Sequence, residues 1–331
     1  MRYETGVPIG SGGMGTVIRS YDPVLDRHVA LKLLRGDDPE LAERMLREAR
    51  AQAAVDHPNV AKVYEVGYLE DGRPFIAMQL IEGKPLNEVA RRLTLDQKIG
   101  LLATVADAVQ AAHATGLVHR DLKPSNILVE ESSGQGLVPY VVDFGIAREE
   151  AAPGFTVSGQ VLGTPGYMAP EQASGAVLSL DRRADIFSLG VILYELVSGG
   201  HPFKGDNPVE KLLSLFHDEP LPLRTGTRQV PADLEAVIFK CLDKRPDHRY
   251  ASARALAEEL RRYLAGEPVL ARRVTRLGIL WRRAKRHPVM TATVAAAILA
   301  MAVAAGVTFT SVATSRRQTK EAHELGQRVS R

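Results

Sequence analysis

A polar segment at residues 119–126 limits what this chain can fold into more than any other part of its sequence. It reads His-Arg-Asp-Leu-Lys-Pro-Ser-Asn. Asp121 can orient a hydroxyl nucleophile and accept its proton, and Lys123 can neutralise charge on a phosphoryl group in transfer. Asn126 offers an oxygen ligand for Mg²⁺, and Asp143, at the start of an Asp-Phe-Gly triplet, offers a second. The triplet alone is unremarkable, but after such a cluster it indicates one site for phosphoryl transfer.

Residues 10–17 contain the pattern G-x-G-x-x-G, which is a weak signal by itself. The same pattern opens dinucleotide-binding units, where a helix follows the last glycine. Here Gly15 is followed by Thr16, Val17 and Ile18, which favour a strand. This indicates a strand–turn–strand whose backbone can approach phosphates, with a plain flexible hairpin as the alternative.

Lys32 ends the run Val-Ala-Leu-Lys, which is typical of a half-buried strand. A lysine on a strand can reach the phosphates of a nucleotide if an acidic side chain holds it in place. Glu48, on the helix predicted next, is the natural candidate, and Glu43 is the competing one. The alternative for Lys32 is an ordinary surface lysine.

The chain divides by local pattern into a small β-rich part, residues 1–82, and a larger helical part, residues 83–265. Apolar residues at helical spacing predict one helix in the first part, and four further helices follow in the second. Thr94, three residues before Gln97, fits a capping box, and Gly116 suits the end of the helix that begins there. The fold class is therefore α+β.

The basic excess of the chain is concentrated at residues 272–286, which hold seven Lys or Arg and no acid. Residues 289–315 carry no charge, and about 20 apolar residues suffice to cross a bilayer. We expect a basic juxtamembrane segment at 266–288, a transmembrane helix at 289–315 and the start of a distal region at 316–331. The basic cluster favours a cytoplasmic amino-terminal side. The alternative is an alanine-rich helix buried in a soluble domain.

The chain resembles eukaryotic-type serine/threonine protein kinases, and most of all the transmembrane kinases of bacteria. The motifs occur in the family's order: the glycine-rich loop, Val-Ala-Leu-Lys, residues 119–126, Asp-Phe-Gly and, at residues 169–171, Ala-Pro-Glu. The resemblance covers residues 3–265 and implies a bilobal kinase fold. It also implies ATP- and Mg²⁺-dependent phosphorylation of serine and threonine in proteins, the kinase itself included, with Mn²⁺ as the alternative ion.

The resemblance assigns roles to individual residues. Asp121, Lys123, Lys32, Glu48 and Thr164 would form the catalytic set, with Asn126 and Asp143 as the metal ligands. Residues of the glycine-rich loop, the lysine strand, the hinge and the metal site would contact ATP: Ile9, Gly10, Gly12, Gly15, Val17, Ala30, Lys32, Met78, Leu80, Asn126 and Asp143.

Other residues would be structural or regulatory by the same resemblance. Asp185 would brace the catalytic loop, and Glu171 would pair with Arg249. Thr156 and Ser158 would be autophosphorylation sites, against the alternative of a plain polar loop. The single cysteine, Cys241, excludes an intramolecular disulfide and suits a buried core position.

The expected partners are protein substrates, reached from the plasma membrane through one span with the kinase domain in the cytoplasm, and no nucleic acid. Small residues within 289–315 leave homodimerisation open. One competing interpretation is an inactive pseudokinase scaffold, which predicts damage to a catalytic residue. Another is a small-molecule kinase, which predicts loss of residues 163–171. Neither change is present.

Overall fold

The computed structural model describes eight stretches of the chain, all within one compact unit, Met1–Arg272. They are residues 2–12, 15–34, 39–132, 134, 136–144, 165–174, 181–223 and 230–272.

The amino-terminal part is an antiparallel five-stranded sheet with one helix. The strands are β1 (Glu4–Gly12), β2 (Gly15–Asp22), β3 (Arg27–Leu34), β4 (Val63–Tyr68) and β5 (Pro74–Gln79), in the order β1-β2-β3-β5-β4. Helix α1 (Pro39–Ala53) packs Met45, Leu46 and Ala49 against apolar residues of β3 and β5. This small core fixes the strand that carries Lys32 relative to the helix that carries Glu48.

Gly15 stands where the glycine-rich loop enters β2, and no other residue fits there. Its φ is +153°, and a Cβ would lie 2.0 Å from the carbonyl oxygen of Leu33 on β3. The missing side chain therefore lets β2 approach β3 at this end of the loop.

The carboxyl-terminal part is mainly helical and begins with a small antiparallel sheet of β6 (Lys84–Pro85), β7 (Ile127–Ser132) and β8 (Gly136–Val141). Its helices are α2 (Leu86–Val89), α3 (Leu95–Ala114), α4 (Pro170–Ala173), α5 (Arg183–Ser198), α6 (Pro208–His217), α7 (Ala232–Cys241) and α8 (Ala253–Leu264). The bilobal α+β kinase architecture predicted from the sequence is thus present.

The predicted capping box of α3 is confirmed. Thr94 Oγ1 accepts a hydrogen bond from the amide of Gln97 at 3.3 Å, and Gln97 Oε1 accepts one from the amide of Thr94 at 2.9 Å. Gly116 follows the helix with a φ of +83°, as expected of a glycine at a helix end.

Helix α5 forms the centre of the core of the larger part, because 12 of its 16 residues are buried. At Gly190 the helix meets α7 so closely that a Cβ would lie 2.5 Å from the Cβ of Cys241. Cys241 is buried, as predicted, and its burial raises the pKa of the thiol. The missing side chain of Gly190 sets how closely these two helices pack.

The predicted ion pair between Glu171 and Arg249 is confirmed. Two guanidinium nitrogens of Arg249 donate to the two carboxylate oxygens of Glu171, at 2.6 Å and 2.8 Å. The Arg249 side chain is fully buried and also donates to the carbonyl oxygens of Asp243, Arg183 and Lys244. This arginine therefore ties α4 to the start of α5 and to the loop after α7.

No helix of the described residues is both long and apolar enough to cross a membrane. The predicted span at 289–315 and the distal region at 316–331 lie outside the described residues, as does the juxtamembrane segment beyond residue 272.

The packing at Gly190 predicts opposite effects for two glycine-to-alanine changes in helix interiors. Gly190→Ala should lower the free energy of unfolding by about 1–3 kcal/mol, because the methyl group overpacks the contact with α7. Gly100→Ala is the matched control, since its Cβ would meet only Leu264, at 4.0 Å. This control should raise the free energy of unfolding by up to about 1 kcal/mol through helix propensity. Urea unfolding of the whole chain measures both, and equal effects would contradict the packing argument.

Candidate active site

The catalytic-loop residues predicted from the sequence come together. Lys123 Nζ lies 2.8 Å from Asp121 Oδ2, and the side-chain amide of Asn126 donates to the Asp121 carbonyl oxygen at 2.9 Å. A short 3-10 turn, Pro124–Asn126, brings the amide back towards the aspartate. The arrangement leaves a carboxylate beside a lysine, which suits a hydroxyl nucleophile approaching a charged phosphoryl group.

The second carboxylate, Asp143, follows β8 and pairs with the lysine of β3. Lys32 Nζ lies 2.7 Å from Asp143 Oδ1, with the lysine side chain 7% exposed and the aspartate 36% exposed. A nearly buried ammonium needs such a partner. The ion pair joins the small sheet to the larger helical part at the candidate active site.

Glu48 is not the partner of Lys32 in this structure; Asp143 is. Glu48 is half-buried on α1 and has contacts of its own, whereas the competing Glu43 is exposed. The physical reason is that the nearly buried ammonium of Lys32 needs a negative partner, and the carboxylate of Asp143 lies 2.7 Å from it. The role predicted for Glu48 remains a prediction.

The residues expected to enclose adenine share one apolar cluster. Ala30 and Met78 are buried and oppose each other across β3 and β5, and Val17 and Leu80 pack against the same cluster. Ile9 lies on β1 with its side chain largely exposed. Four of these positions therefore share one cluster, and Ile9 lies apart from it on β1.

The other glycines predicted to contact ATP, Gly10 and Gly12, lie close to the turn between β1 and β2. In the register of the two strands Gly10 opposes Val17, and Gly12 opposes Gly15. Their backbone therefore forms the tip of the hairpin, beside the strand that carries Lys32.

The predicted brace at Asp185 is confirmed by its hydrogen bonds. Its two carboxylate oxygens accept from the amides of His119 and Arg120, both at 2.8 Å, and from Nε2 of His113 at 2.7 Å. Burial alone would raise the pKa of Asp185, but the hydrogen bond from His113 and the loop amides outweigh it, so the pKa lies below its ordinary value. The buried carboxylate therefore stays ionised and holds the loop backbone.

His119 has a structural role in the catalytic loop. Its ring is fully buried, lies 4.6 Å from the ring of Phe144 and places Nε2 at 3.1 Å from the Val142 carbonyl oxygen. Burial lowers the pKa of His119, so the ring is neutral at physiological pH. It packs the catalytic loop against the strand end that leads to Asp143.

Two contacts of the loop were not predicted from the sequence. His113 reaches Asp185 from the last turn of α3. Gln172 on α4 donates to the carbonyl oxygen of Arg120 at 3.0 Å. A histidine in the last turn of the helix before the loop was the available signal for the first contact.

Asn126 and Asp143 fit a Mg²⁺ site completed by a nucleotide. The Asn126 side-chain nitrogen is used by the Asp121 carbonyl, which leaves the amide oxygen to act as ligand. Within the described stretches no group of three or more His, Cys, Asp or Glu could hold an ion. Mg²⁺ is commonly held by one or two protein oxygens together with substrate phosphates. Thr164, Thr156 and Ser158 lie outside the described residues, so their roles stay predictions.

Asp185→Asn tests the brace. The change keeps the size of the side chain but turns one acceptor into a donor, so at least one buried donor loses its acceptor. We expect a loss of about 1–3 kcal/mol in the free energy of unfolding for each such donor. Asp56→Asn, at an exposed position, is the control and should change little.

The difference in unfolding free energy between wild type and Asp185→Asn should depend on pH. The pKa of Asp185 is lowered by folding, so its contribution is complete above the unfolded value of about 3.9 and is lost as pH falls through the folded value. Below about pH 5 the gap in unfolding free energy between wild type and Asp185→Asn should narrow, as the carboxylate of the wild type takes up its proton. A gap that widens below about pH 5 would contradict an ionised Asp185.

Comparisons with known proteins agree with this geometry. The protein kinase domain family matches residues 3–260. The serine/threonine-protein kinase PknB of Mycobacterium tuberculosis (strain H37Rv) is 38% identical over 284 residues, which cover 82% of this chain and 44% of PknB. The serine/threonine-protein kinase pkn3 of Myxococcus xanthus is 39% identical over 272 residues, 78% of this chain and 49% of the relative.

A third relative, the probable serine/threonine-protein kinase SCO3848 of Streptomyces coelicolor, is 36% identical over 279 residues, 81% of this chain and 41% of its own length. The chain thus spans less than half the length of these curated relatives. The family match covers most of the chain and every described residue of the site. The chain belongs to the protein kinase family, and its relatives place it among the eukaryotic-type serine/threonine kinases of bacteria.

Proposed function

We propose that this protein transfers the γ-phosphoryl group of Mg²⁺-bound ATP to serine and threonine hydroxyls of proteins, its own activation segment included. The observation that carries the proposal is the pairing of two carboxylates with two lysines in one site. Lys123 lies 2.8 Å from Asp121, and Lys32 lies 2.7 Å from Asp143. This is the charge arrangement that phosphoryl transfer needs, since catalysis rests on positioning and electrostatics.

Asp121 orients the acceptor hydroxyl and takes its proton as the oxygen attacks. Lys123, already beside that carboxylate, neutralises charge on the phosphoryl group in transfer. Asp143 and Asn126 hold the metal ion, which when bound neutralises charge on the nucleotide phosphates. Lys32 holds the phosphates from the sheet side.

Lys32 would change partner when the nucleotide binds. Its ammonium pairs with an oxygen of Asp143, the residue that would also hold the metal ion. When phosphates enter, Lys32 turns to them, and Glu48 on α1 becomes the acid that steadies it. The half-buried position of Glu48 supports this, because a carboxylate at the edge of the core can pair with an ammonium at moderate desolvation cost.

The setting we propose is membrane-associated signalling from the cytoplasmic side of the plasma membrane. The support is the basic cluster at 272–286 followed by the uncharged residues 289–315. Thr156 and Ser158 are the proposed autophosphorylation sites, and homodimerisation through the span is the proposed route by which one copy reaches another.

The test compares wild type with Asp121→Asn, on the whole chain, with labelled ATP and Mg²⁺. Loss of the proton acceptor should lower phosphate incorporation by about 100-fold or more, with nucleotide binding retained. Asp56→Asn is the control and should match wild type. Peptide mapping should place the label on Thr156 or Ser158.

Three outcomes separate the proposal from its alternative. Label in wild type that is lost in Asp121→Asn supports the kinase. Nucleotide binding without label in any form would favour an inactive scaffold. Equal labelling of wild type and Asp121→Asn would remove Asp121 from the catalytic role.

A further inference from the structure

The chain does not leave the helical part directly after α8. Residues 269–272, which we call the strap, turn back onto the domain beyond the end of the family match at residue 260. Val269 is 1% exposed, whereas Leu270 is 72% exposed. Arg272 ends the strap in an ion pair with Asp233 on α7, at 3.0 Å. The strap is therefore docked by one buried side chain and one surface ion pair.

A buried carboxylate of α8 holds the strap backbone between these two points. Glu259 is 3% exposed, and its oxygens accept from the amides of Leu270 and Ala271, both at 2.8 Å. Burying a carboxylate is costly unless hydrogen-bond donors surround it. Two of the donors that offset the cost of burying the Glu259 carboxylate thus belong to the strap.

The third donor to Glu259 leads towards the active site. The hydroxyl of Tyr250 lies 3.2 Å from Glu259 Oε2, and Tyr250 is itself buried. The preceding residue, Arg249, carries the bidentate ion pair to Glu171. Glu171 lies on α4, which also carries Gln172, the donor to the catalytic loop. A path of hydrogen bonds and neighbouring residues, buried at Glu259 and Tyr250 and part-buried at α4, therefore runs from the strap to the catalytic loop.

We propose that the strap is a latch: docked on Glu259 it keeps the Arg249–Glu171 contact ordered, and released it loosens that contact and lowers kinase activity. Release would leave the Glu259 carboxylate buried without two of its donors. Water would have to enter beside the carboxylate, which disturbs its contact with Tyr250. In the sequence the strap runs into the basic residues 272–286, beginning with its own Arg272, so a ligand that binds those residues acts on the strap directly.

The activity part of this inference rests on the proposed function, whereas the structural part does not. Hydrogen–deuterium exchange of the whole chain measures the coupling without catalysis. Leu270→Pro removes one amide donor at an exposed position, and Leu270→Ala is the matched control that keeps the amide. Exchange within β7 and β8, which pair with each other while β8 packs on α3, reports whether the variant is folded.

We expect Leu270→Pro to open the strap and to raise amide exchange about tenfold both at residues 249–250 and at residues 165–174, with Leu270→Ala near wild type. Phosphate incorporation by Leu270→Pro should fall by a similar factor. If wild type shows no phosphorylation at all, the proposed function fails while the exchange data still decide the latch.

Two results would overturn the latch. In the first, the strap opens while residues 165–174 and 249–250 exchange as in wild type, so that strap and active site are uncoupled. In the second, the strap stays closed in Leu270→Pro, so that the amide bonds to Glu259 do not hold it. Should Leu270→Pro unfold β7 and β8, Val269→Ser opens the strap through its buried side chain, and the same two outcomes apply.

Discussion

The buried carboxylate of Asp185 fixes the position of the catalytic loop, because the loop backbone supplies two of its three hydrogen-bond donors. An ionised group in the core is stable only with such donors, so the anion and the loop depend on each other. The loop also contains Arg120 with a φ of +62°, which a side chain rarely adopts. Contacts on both sides hold this conformation: Asp185 binds the Arg120 amide and Gln172 binds its carbonyl oxygen. The backbone that leads into Asp121 is therefore held in one conformation.

The site itself rests on a second principle, that a desolvated ammonium requires a negative partner. Lys32 is nearly buried on β3 and meets that requirement with Asp143. The nucleotide phosphates and the metal ion would change the charges around both groups. The ion pair is thus the contact that nucleotide binding would rearrange under the proposed function.

The sequence predicted those features whose cause is local or carried by a side chain with one obvious role. Examples are the capping box at Thr94, the Asp185 brace and the Glu171–Arg249 ion pair, the last two through resemblance to the family. It did not predict Asp143 as the partner of Lys32, because that contact joins residues 111 positions apart in the sequence. It also missed the strap, whose bonds to Glu259 come from backbone amides that leave no mark in a sequence.

The central claim is that Asp143 would hold the metal ion that accompanies the nucleotide. Isothermal titration of the whole chain with a non-hydrolysable ATP analogue, with and without Mg²⁺, tests it in wild type and in Asp143→Asn. The account predicts that Mg²⁺ strengthens nucleotide binding to wild type and that this gain disappears in Asp143→Asn. Binding to wild type that is indifferent to Mg²⁺, or a gain that survives in Asp143→Asn, would contradict it.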